Sequence, residues 1–143
     1  MFMGEFHHSL DEKGRITIPV KYRELLGDSF VITRGIESCL YIYPASSFKT
    51  IVTKLKTLPF TKKDARDFTR FFMSGATAIT LDKQGRVNIP SPLSTYANLT
   101  KNCIIVGAID RLEIWDEKLF NLFMENSTTK MSEIAENLFM ENI

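Results

Sequence analysis

A ten-residue motif occurs twice in this chain and constrains its fold more than any other feature. "LDEKGRITIP" occupies residues 10–19 and "LDKQGRVNIP" occupies residues 81–90, with six of the ten positions identical. Each copy places an Asp-x-x-Gly-Arg turn in front of an apolar, strand-like segment. Such a repeat predicts two equivalent hairpins in one chain. Two equivalent turns that end in arginine suit a protein that grips a repetitive partner better than they suit an enzyme.

The similarity continues beyond the motif. A shift of 72 residues aligns apolar and aromatic positions of the first half with those of the second: Gly35 with Gly107, Leu40 with Leu112, Ile42 with Ile114, Tyr43 with Trp115 and Phe48 with Phe120. Each half is therefore predicted to run strand, tight turn, strand, short helix, strand, strand, helix.

The turn residues themselves predict the local geometry. Asp11 stands at the first and Gly14 at the fourth position of a type I turn, and glycine adopts positive φ without strain. Asp82 and Gly85 hold the same positions in the second copy. We expect these four residues to be structural, and Arg15 to face outward from a strand whose isoleucines face inward.

Helix boundaries are also visible in the sequence. Pro19 and Gly27 bracket "VKYRELL", which is the usual proline-first, glycine-last arrangement of a short helix. Between the halves, Thr61 and Asp64 form a predicted N-terminal capping pair, and Gly75 ends that helix. Residues 131–143 carry apolar side chains at helical spacing.

Composition is that of a folded protein without membrane spans. The chain has 143 residues, of which 44% are hydrophobic, and a net charge of +1. Residues 1–100 carry fourteen basic against nine acidic side chains, and residues 101–143 carry four against eight. This asymmetry fits a basic working face and an acidic tail. No secretory signal is predicted, and Cys39 and Cys103 are expected to be buried free thiols of a cytoplasmic protein.

Catalytic and metal-binding functions are not expected. His7 and His8, the two histidines of the sequence, are adjacent on a predicted strand, so their side chains point to opposite faces. Asp11 and Asp82 are better explained as caps of their own turns than as a catalytic pair. The glycines form no phosphate loop. We predict no catalytic residue, metal site or cofactor.

The basic side chains of the two turns suggest nucleic-acid binding. Arg15 and Arg86 follow the turn glycines, and Lys13 and Lys83 lie at the tips. Arginine that donates two hydrogen bonds to guanine is the commonest specific contact in the major groove, whereas lysines suit phosphates. Gln84, the counterpart of Lys13 in the second copy, could bind adenine. In the alternative interpretation the arginines are structural and each is held by its aspartate; residue chemistry alone leaves both open.

The quoted motifs resemble one known family. The duplicated D-x-x-G-R-[IV]-x-I-P, the connecting "RFFMSGA" and the opening "GEFHHSLDEKGRITIP" are similar to the MraZ family of bacterial transcription regulators, over residues 2 to about 125. The resemblance implies an α+β fold with a mainly β core: an internally duplicated, swapped-hairpin barrel like that of AbrB and SpoVT, with C-terminal helices. We expect AbrB-like repeats at residues 5–50 and 76–120, a connecting helical segment at 51–75 and a helical tail at 121–143.

The resemblance also implies a function. MraZ-like proteins are expected to bind double-stranded DNA at direct repeats upstream of the division and cell-wall gene cluster, often as repressors of their own promoter. Arg15 and Arg86 match the DNA-contacting arginines of the family, and Lys13 and Lys83 match basic positions of the same turns. The implied assembly is a homo-oligomeric ring of about eight subunits. We expect the protein in the cytoplasm, associated with the nucleoid. Neither a membrane nor a small-molecule substrate is expected as a partner. The alternative is a ring-forming interaction module whose hairpin arginines are structural.

Overall fold

Two similar halves make up the fold. The computed structural model describes residues 1–140, so the end of the apolar stripe predicted for residues 131–143 lies outside the described residues. The first half contains β1 (Glu5–Ser9), β2 (Arg15–Thr17), α1 (Val20–Leu26), β3 (Phe30–Arg34), β4 (Leu40–Pro44), α2 (Ala45–Lys56) and α3 (Lys63–Ser74). The second half contains β5 (Thr77–Ile79), β6 (Arg86–Asn88), α4 (Ser91–Tyr96), β7 (Asn102–Gly107), β8 (Leu112–Asp116), α5 (Glu117–Thr128) and α6 (Met131–Met140). The element order predicted from the repeat is confirmed in both halves.

Strands of the two halves are interlaced in a six-stranded antiparallel sheet with the order β1-β7-β8-β4-β3-β5. The first strand of each half pairs with the third strand of the other half: β1 with β7, and β5 with β3. The fourth strands, β4 and β8, pair with each other at the centre. Exchange of the two halves leaves this order unchanged, so the chain has internal two-fold pseudosymmetry.

The second strands of the two halves, β2 and β6, form a separate antiparallel pair, here called the ribbon. The ribbon covers one face of the six-stranded sheet. The inward side chains of the ribbon, and the isoleucine that comes directly after each of its strands, share one core with apolar side chains of the sheet. The ribbon side contributes Ile16, Ile18, Val87 and Ile89, and the sheet contributes Ile32, Ile42, Ile105, Leu112 and Ile114. The mainly β core predicted for this α+β fold is confirmed.

Helices cover the opposite face of the sheet. Side chains on β4 alternate between the two faces, so that Ile42 faces the ribbon while Tyr41 and Tyr43 face the helices. Phe72 of α3 and Phe120 of α5 pack against this second aromatic cluster. Both faces of the sheet are therefore buried, which fixes the ribbon on one side and the long helices on the other.

The start of α3 differs from the sequence prediction. We predicted a capping pair of Thr61 and Asp64, but the helix begins at Lys63, with Lys62 as its flanking residue and no side-chain cap. The Lys62 N–H donates to the Pro59 carbonyl oxygen at 3.0 Å, so a turn over residues 59–62 occupies the segment in which Thr61 would cap. Gly75 does follow the end of α3, as predicted.

The C-terminal helices are amphipathic. The Asp116 carboxylate accepts a hydrogen bond from the Leu119 N–H at the start of α5, and Phe120 anchors this helix on the sheet. Every residue of α6 is exposed. Within residues 1–140, no helix is both long enough and apolar enough to cross a membrane.

Candidate nucleic-acid interface

The first turn is built around the carboxylate of Asp11. Its Oδ1 accepts hydrogen bonds from the backbone N–H groups of Lys13 at 3.0 Å and Arg15 at 2.8 Å. Its Oδ2 accepts from the Arg15 Nε at 2.7 Å. The Asp11 carbonyl oxygen accepts from the Gly14 N–H at 3.0 Å, and Gly14 has φ +79°, which closes the predicted type I turn. One aspartate thus fixes both the turn and the arginine beside it.

The second turn repeats this geometry almost atom for atom. The Asp82 Oδ1 accepts from the N–H groups of Gln84 and Arg86, both at 2.9 Å, and its Oδ2 accepts from the Arg86 Nε at 2.8 Å. The Asp82 carbonyl oxygen accepts from the Gly85 N–H at 3.0 Å, and Gly85 has φ +76°. The two copies of the motif therefore encode the same side-chain arrangement, as well as the same backbone turn.

The hydrogen bonds of the turns lower the pKa of both carboxyl groups. The Arg15 backbone N–H is the largest cause lowering the pKa of Asp11 below the ordinary aspartate value; desolvation opposes it, and the Arg15 guanidinium adds to the lowering. Arg86 acts on Asp82 in the same way. Both aspartates are consequently charged at neutral pH and keep their arginines paired.

The pairing leaves most of each guanidinium available. Aspartate engages Arg15 and Arg86 through Nε alone. Within residues 1–140, the Nη1 and Nη2 atoms of these two arginines have no hydrogen-bond or ion-pair partner. The two interpretations of the sequence are therefore compatible, because an arginine held at Nε can still donate from both terminal nitrogens.

The ribbon brings the two arginines onto one surface. Ile16 and Val87 lie opposite each other and point into the core. Their neighbours on each strand point the other way, so Arg15, Thr17, Arg86 and Asn88 share the outward face, with Arg15 opposite Asn88 and Thr17 opposite Arg86. Arg15 and Arg86 are diagonal neighbours, which places their Cα atoms roughly 7–8 Å apart.

The two turns flank this face at opposite ends of the ribbon. The Ile18 N–H donates to the Gly85 carbonyl oxygen at 2.9 Å, and the Ile89 N–H donates to the Gly14 carbonyl oxygen at 2.8 Å. The side chains at the tips, Lys13 in the first turn and Lys83 and Gln84 in the second, are exposed. All five predicted binding residues therefore lie on or beside one continuous surface.

Three residues of this surface were not among the predicted binding residues. Thr17 and Asn88 are the cross-strand partners of Arg86 and Arg15, and Arg23 of α1 lies against Gly85. Strand alternation could have identified Thr17 and Asn88 as outward-facing. The position of Arg23 depends on contact between the two halves, for which the sequence gives no local signal.

His7 and the two cysteines lie apart from the residues of this surface. His7 is exposed and lies 3.6 Å from a Glu5 carboxylate oxygen and 3.4 Å from one of Glu117. Cys39 and Cys103 are free and buried, as predicted. Over the described part of the chain, no three His, Cys, Asp or Glu side chains are grouped so that they could hold a metal ion.

Comparison with known protein families identifies the duplicated unit. The model of the MraZ protein family, described as antitoxin-like, matches the chain twice, at residues 1–71 and 72–142. The chain belongs to the MraZ family. The boundary between the two MraZ matches falls in the last turn of α3, so each match contains one turn motif and the four strands of one half. MraZ proteins are regulators by type, and membership assigns this chain to a regulator family and not to an enzyme family.

Proposed function

We propose that this protein is a sequence-specific DNA-binding transcriptional regulator. The observation that carries the proposal is the outward face of the ribbon, where Arg15 and Arg86 each present two unpaired terminal nitrogens. Its targets are direct repeats upstream of the division and cell-wall gene cluster, including its own promoter, where it acts as a repressor. Its place is the cytoplasm, at the nucleoid, and it uses no cofactor.

The dimensions and chemistry of the ribbon suit the major groove. A two-stranded antiparallel ribbon fits this groove, which is about 12 Å wide. Nη1 and Nη2 of Arg15 or Arg86 can donate together to the O6 and N7 acceptors of a guanine. Asn88 on the same face, and Gln84 at the second tip, have the amide groups that suit adenine. Lys13 and Lys83 at the tips can contact phosphates on either side.

The aspartates prepare the arginines for this contact. A free arginine side chain loses rotamer freedom when it binds a base, which weakens binding. Here Asp11 and Asp82 already restrict the guanidinium groups through the Nε bonds. The pairing of Asp and Arg thus makes the ribbon a more rigid recognition surface without occupying the donors that would contact DNA.

A titration with two DNA duplexes tests the proposal. One duplex carries the direct repeats from upstream of the protein's own gene, and the other has the same composition in scrambled order. Fluorescence anisotropy at physiological salt should give at least about 10³-fold tighter binding to the repeats. Equal affinity for the two duplexes would reject a sequence-specific regulator.

We further propose that several copies assemble into a closed ring of about eight subunits. The helices α2 and α3 and the loop between them form an open apolar groove of about 520 Å³, lined in part by Leu55, Leu58, Phe60 and Met73. Basic side chains, including Lys56, Arg66 and Arg70, border it. An apolar groove of this kind, bordered by positive charge, favours an amphipathic acidic partner.

The helix α6 of a second copy matches that description. Met131, Ile134 and Phe139 are 43%, 40% and 70% exposed, and Glu133 and Glu136 lie on the same helix. A head-to-tail contact between α6 of one copy and the groove of the next would close into a ring. Several ribbons held on one ring could bind successive repeats, and avidity would then raise the affinity by roughly 10²–10⁴.

A ring-forming interaction module is the second candidate function. The exposed α6 and the groove support assembly regardless of whether DNA is the ligand. In that case the bond from Asp to Arg would serve only the stability of the turns. The titration separates the two candidates, because a pure interaction module would form rings and show no preference for the repeats.

A further inference from the structure

Arg23 occupies a special position beside the second turn. Its Nε donates to the Ile18 carbonyl oxygen at 2.9 Å, directly where the chain leaves the ribbon. Its guanidinium lies so close to Gly85 that a methyl group added to that glycine would overlap the Arg23 Nε and Cζ atoms. The guanidinium is thus packed against the second turn, although Arg23 belongs to the first half of the chain.

The pseudosymmetric position is different. Ser94 of α4 corresponds to Arg23 of α1 and lies beside the first turn. There an open cleft of about 570 Å³ remains, lined by Lys13, Gly14 and Asn88 among others. A guanidinium fills the space at one turn, and the equivalent space at the other turn is vacant. The two halves are therefore not equivalent at the surface proposed to meet DNA.

The two turns also differ in net charge. The first turn has Glu12 where the second has Lys83, and Ser94 stands beside the first turn where Arg23 stands beside the second. Lys13 of the first turn, replaced by Gln84 in the second, offsets this in part and leaves a difference of two charges. No carboxylate of residues 1–140 lies within 4.0 Å of the Arg23 guanidinium. Glu24 and Asp28 line the same cleft as Arg23, but their carboxylates are beyond that distance. The second turn is therefore the more positive of the two.

The positive charge of Arg23 acts on a nearby titratable group, His8. Burial, and after it the charge of Arg23, lowers the pKa of His8. Arg15 and Arg86 differ from Arg23 in this respect, since each has an aspartate at its Nε. A half-buried guanidinium without a carboxylate partner is a good binding position for an anion that arrives from outside.

We propose that Arg23 is a third DNA-contacting arginine, which binds a backbone phosphate next to the second turn. This inference rests on the proposed DNA-binding function. Arg23 comes from α1 and not from the ribbon, so it flanks an inserted ribbon and meets the sugar–phosphate wall of the groove. Such a contact positions the protein and carries no sequence information. It would make the second turn the more strongly bound of the two.

Salt-dependent titrations test the role of Arg23. Arg23→Met keeps the aliphatic stem without the charge, and Arg23→Gln keeps a donor for the Ile18 carbonyl oxygen without the charge. Each should weaken binding to repeat and scrambled DNA alike, by about tenfold. Each should also reduce the slope of log K against log salt by about 0.9. Arg23→Lys, which keeps the charge, should retain the slope.

The control readout is the integrity of the second turn. Hydrogen exchange of the Gln84 and Arg86 amides, which donate to Asp82, reports whether the turn is intact. If both uncharged variants keep the parental salt slope, with or without faster exchange, Arg23 only supports the turn and the proposal is wrong. Failure of the proposed function would show differently, because the parent protein itself would not prefer the repeats.

Discussion

Ile16 lies directly opposite Val87 in the ribbon, and the two residues occupy the same position in the two copies of the motif. The pseudo-two-fold axis therefore passes between them. Arg15 and Arg86 are related by this axis and point away from the core on the same face. Their side chains should consequently make similar contacts, and each can be tested separately within one chain.

Removal of either ribbon arginine should weaken specific binding. We expect Arg15→Ala and Arg86→Ala each to lose about 1–3 kcal/mol of binding to the repeat DNA, because each removes a proposed guanine contact. The melting temperature should change little, since both side chains face outward. Lys49→Ala, which removes an exposed basic side chain of α2 away from the groove, serves as the control. Parental affinity in both ribbon variants would exclude base recognition by the turns.

The aspartates should affect binding through their arginines. In Asp11→Asn the side-chain oxygen can still accept from the Lys13 and Arg15 N–H groups, but the amide nitrogen cannot accept from the Arg15 Nε. We expect weaker binding to the repeats and a nearly parental melting temperature, and the same for Asp82→Asn. Asp110→Asn, which alters an exposed ion pair away from the ribbon, is the control.

Acid should release the same arginines. The pKa of both aspartates is lower in the folded protein than its ordinary value. The stabilisation from these carboxylates is therefore complete when the pH is above the ordinary aspartate pKa. It is lost as the pH falls through the lowered folded-state pKa. The turn amides should then exchange faster in the parent protein than at neutral pH, after correction for intrinsic rates. The two asparagine variants should lack this acid-induced change.

The lysines at the tips should act on DNA without regard to sequence. Lys13→Ala and Lys83→Ala should weaken binding to repeat and scrambled DNA equally, because phosphates are the same in both. Each should lower the slope of log K against log salt by about one unit. A lysine variant that loses affinity for the repeats alone, at a parental salt slope, would instead indicate contact with a base.

The helix α6 should determine the size of the assembly. Ile134→Glu places a charge on the apolar side of α6, and light scattering should then show single chains in place of the ring. Ser132→Glu, on the same exposed helix, is the control and should leave the assembly intact. Parental mass for Ile134→Glu would place the contact between copies elsewhere in the chain.

The two thiols should be unreactive in the folded protein. Cys39 is fully buried and Cys103 is 1% exposed. Burial raises the pKa of Cys39 far above its ordinary value and that of Cys103 to about 11, so little reactive thiolate exists at neutral pH. Ellman's reagent should detect neither thiol in the native protein and two after denaturation. Rapid labelling of the native protein would contradict this burial.

Much of the fold was predictable because the chain repeats itself. The identical Asp, Gly and Arg positions defined the turns, and alternation around Ile16 defined the inward and outward faces of the ribbon. The helix cap predicted from Thr61 is absent because residues 59–62 form a turn instead, in which the Lys62 N–H donates to the Pro59 carbonyl oxygen. The contact of Arg23 with Gly85 was not predictable, since it joins segments distant in sequence and depends on the packing of one half against the other.

The interlaced strand order has a consequence for a regulator present in few copies. When two separate chains each contribute one strand to the ribbon, dilution dissociates the dimer and the ribbon is lost. Here β2 and β6 belong to one polypeptide, so their encounter is intramolecular and does not depend on concentration. A single molecule therefore carries a complete ribbon at any abundance. Only the proposed assembly of several ribbons would remain subject to mass action, so dosage would tune avidity while leaving the ribbon itself unchanged.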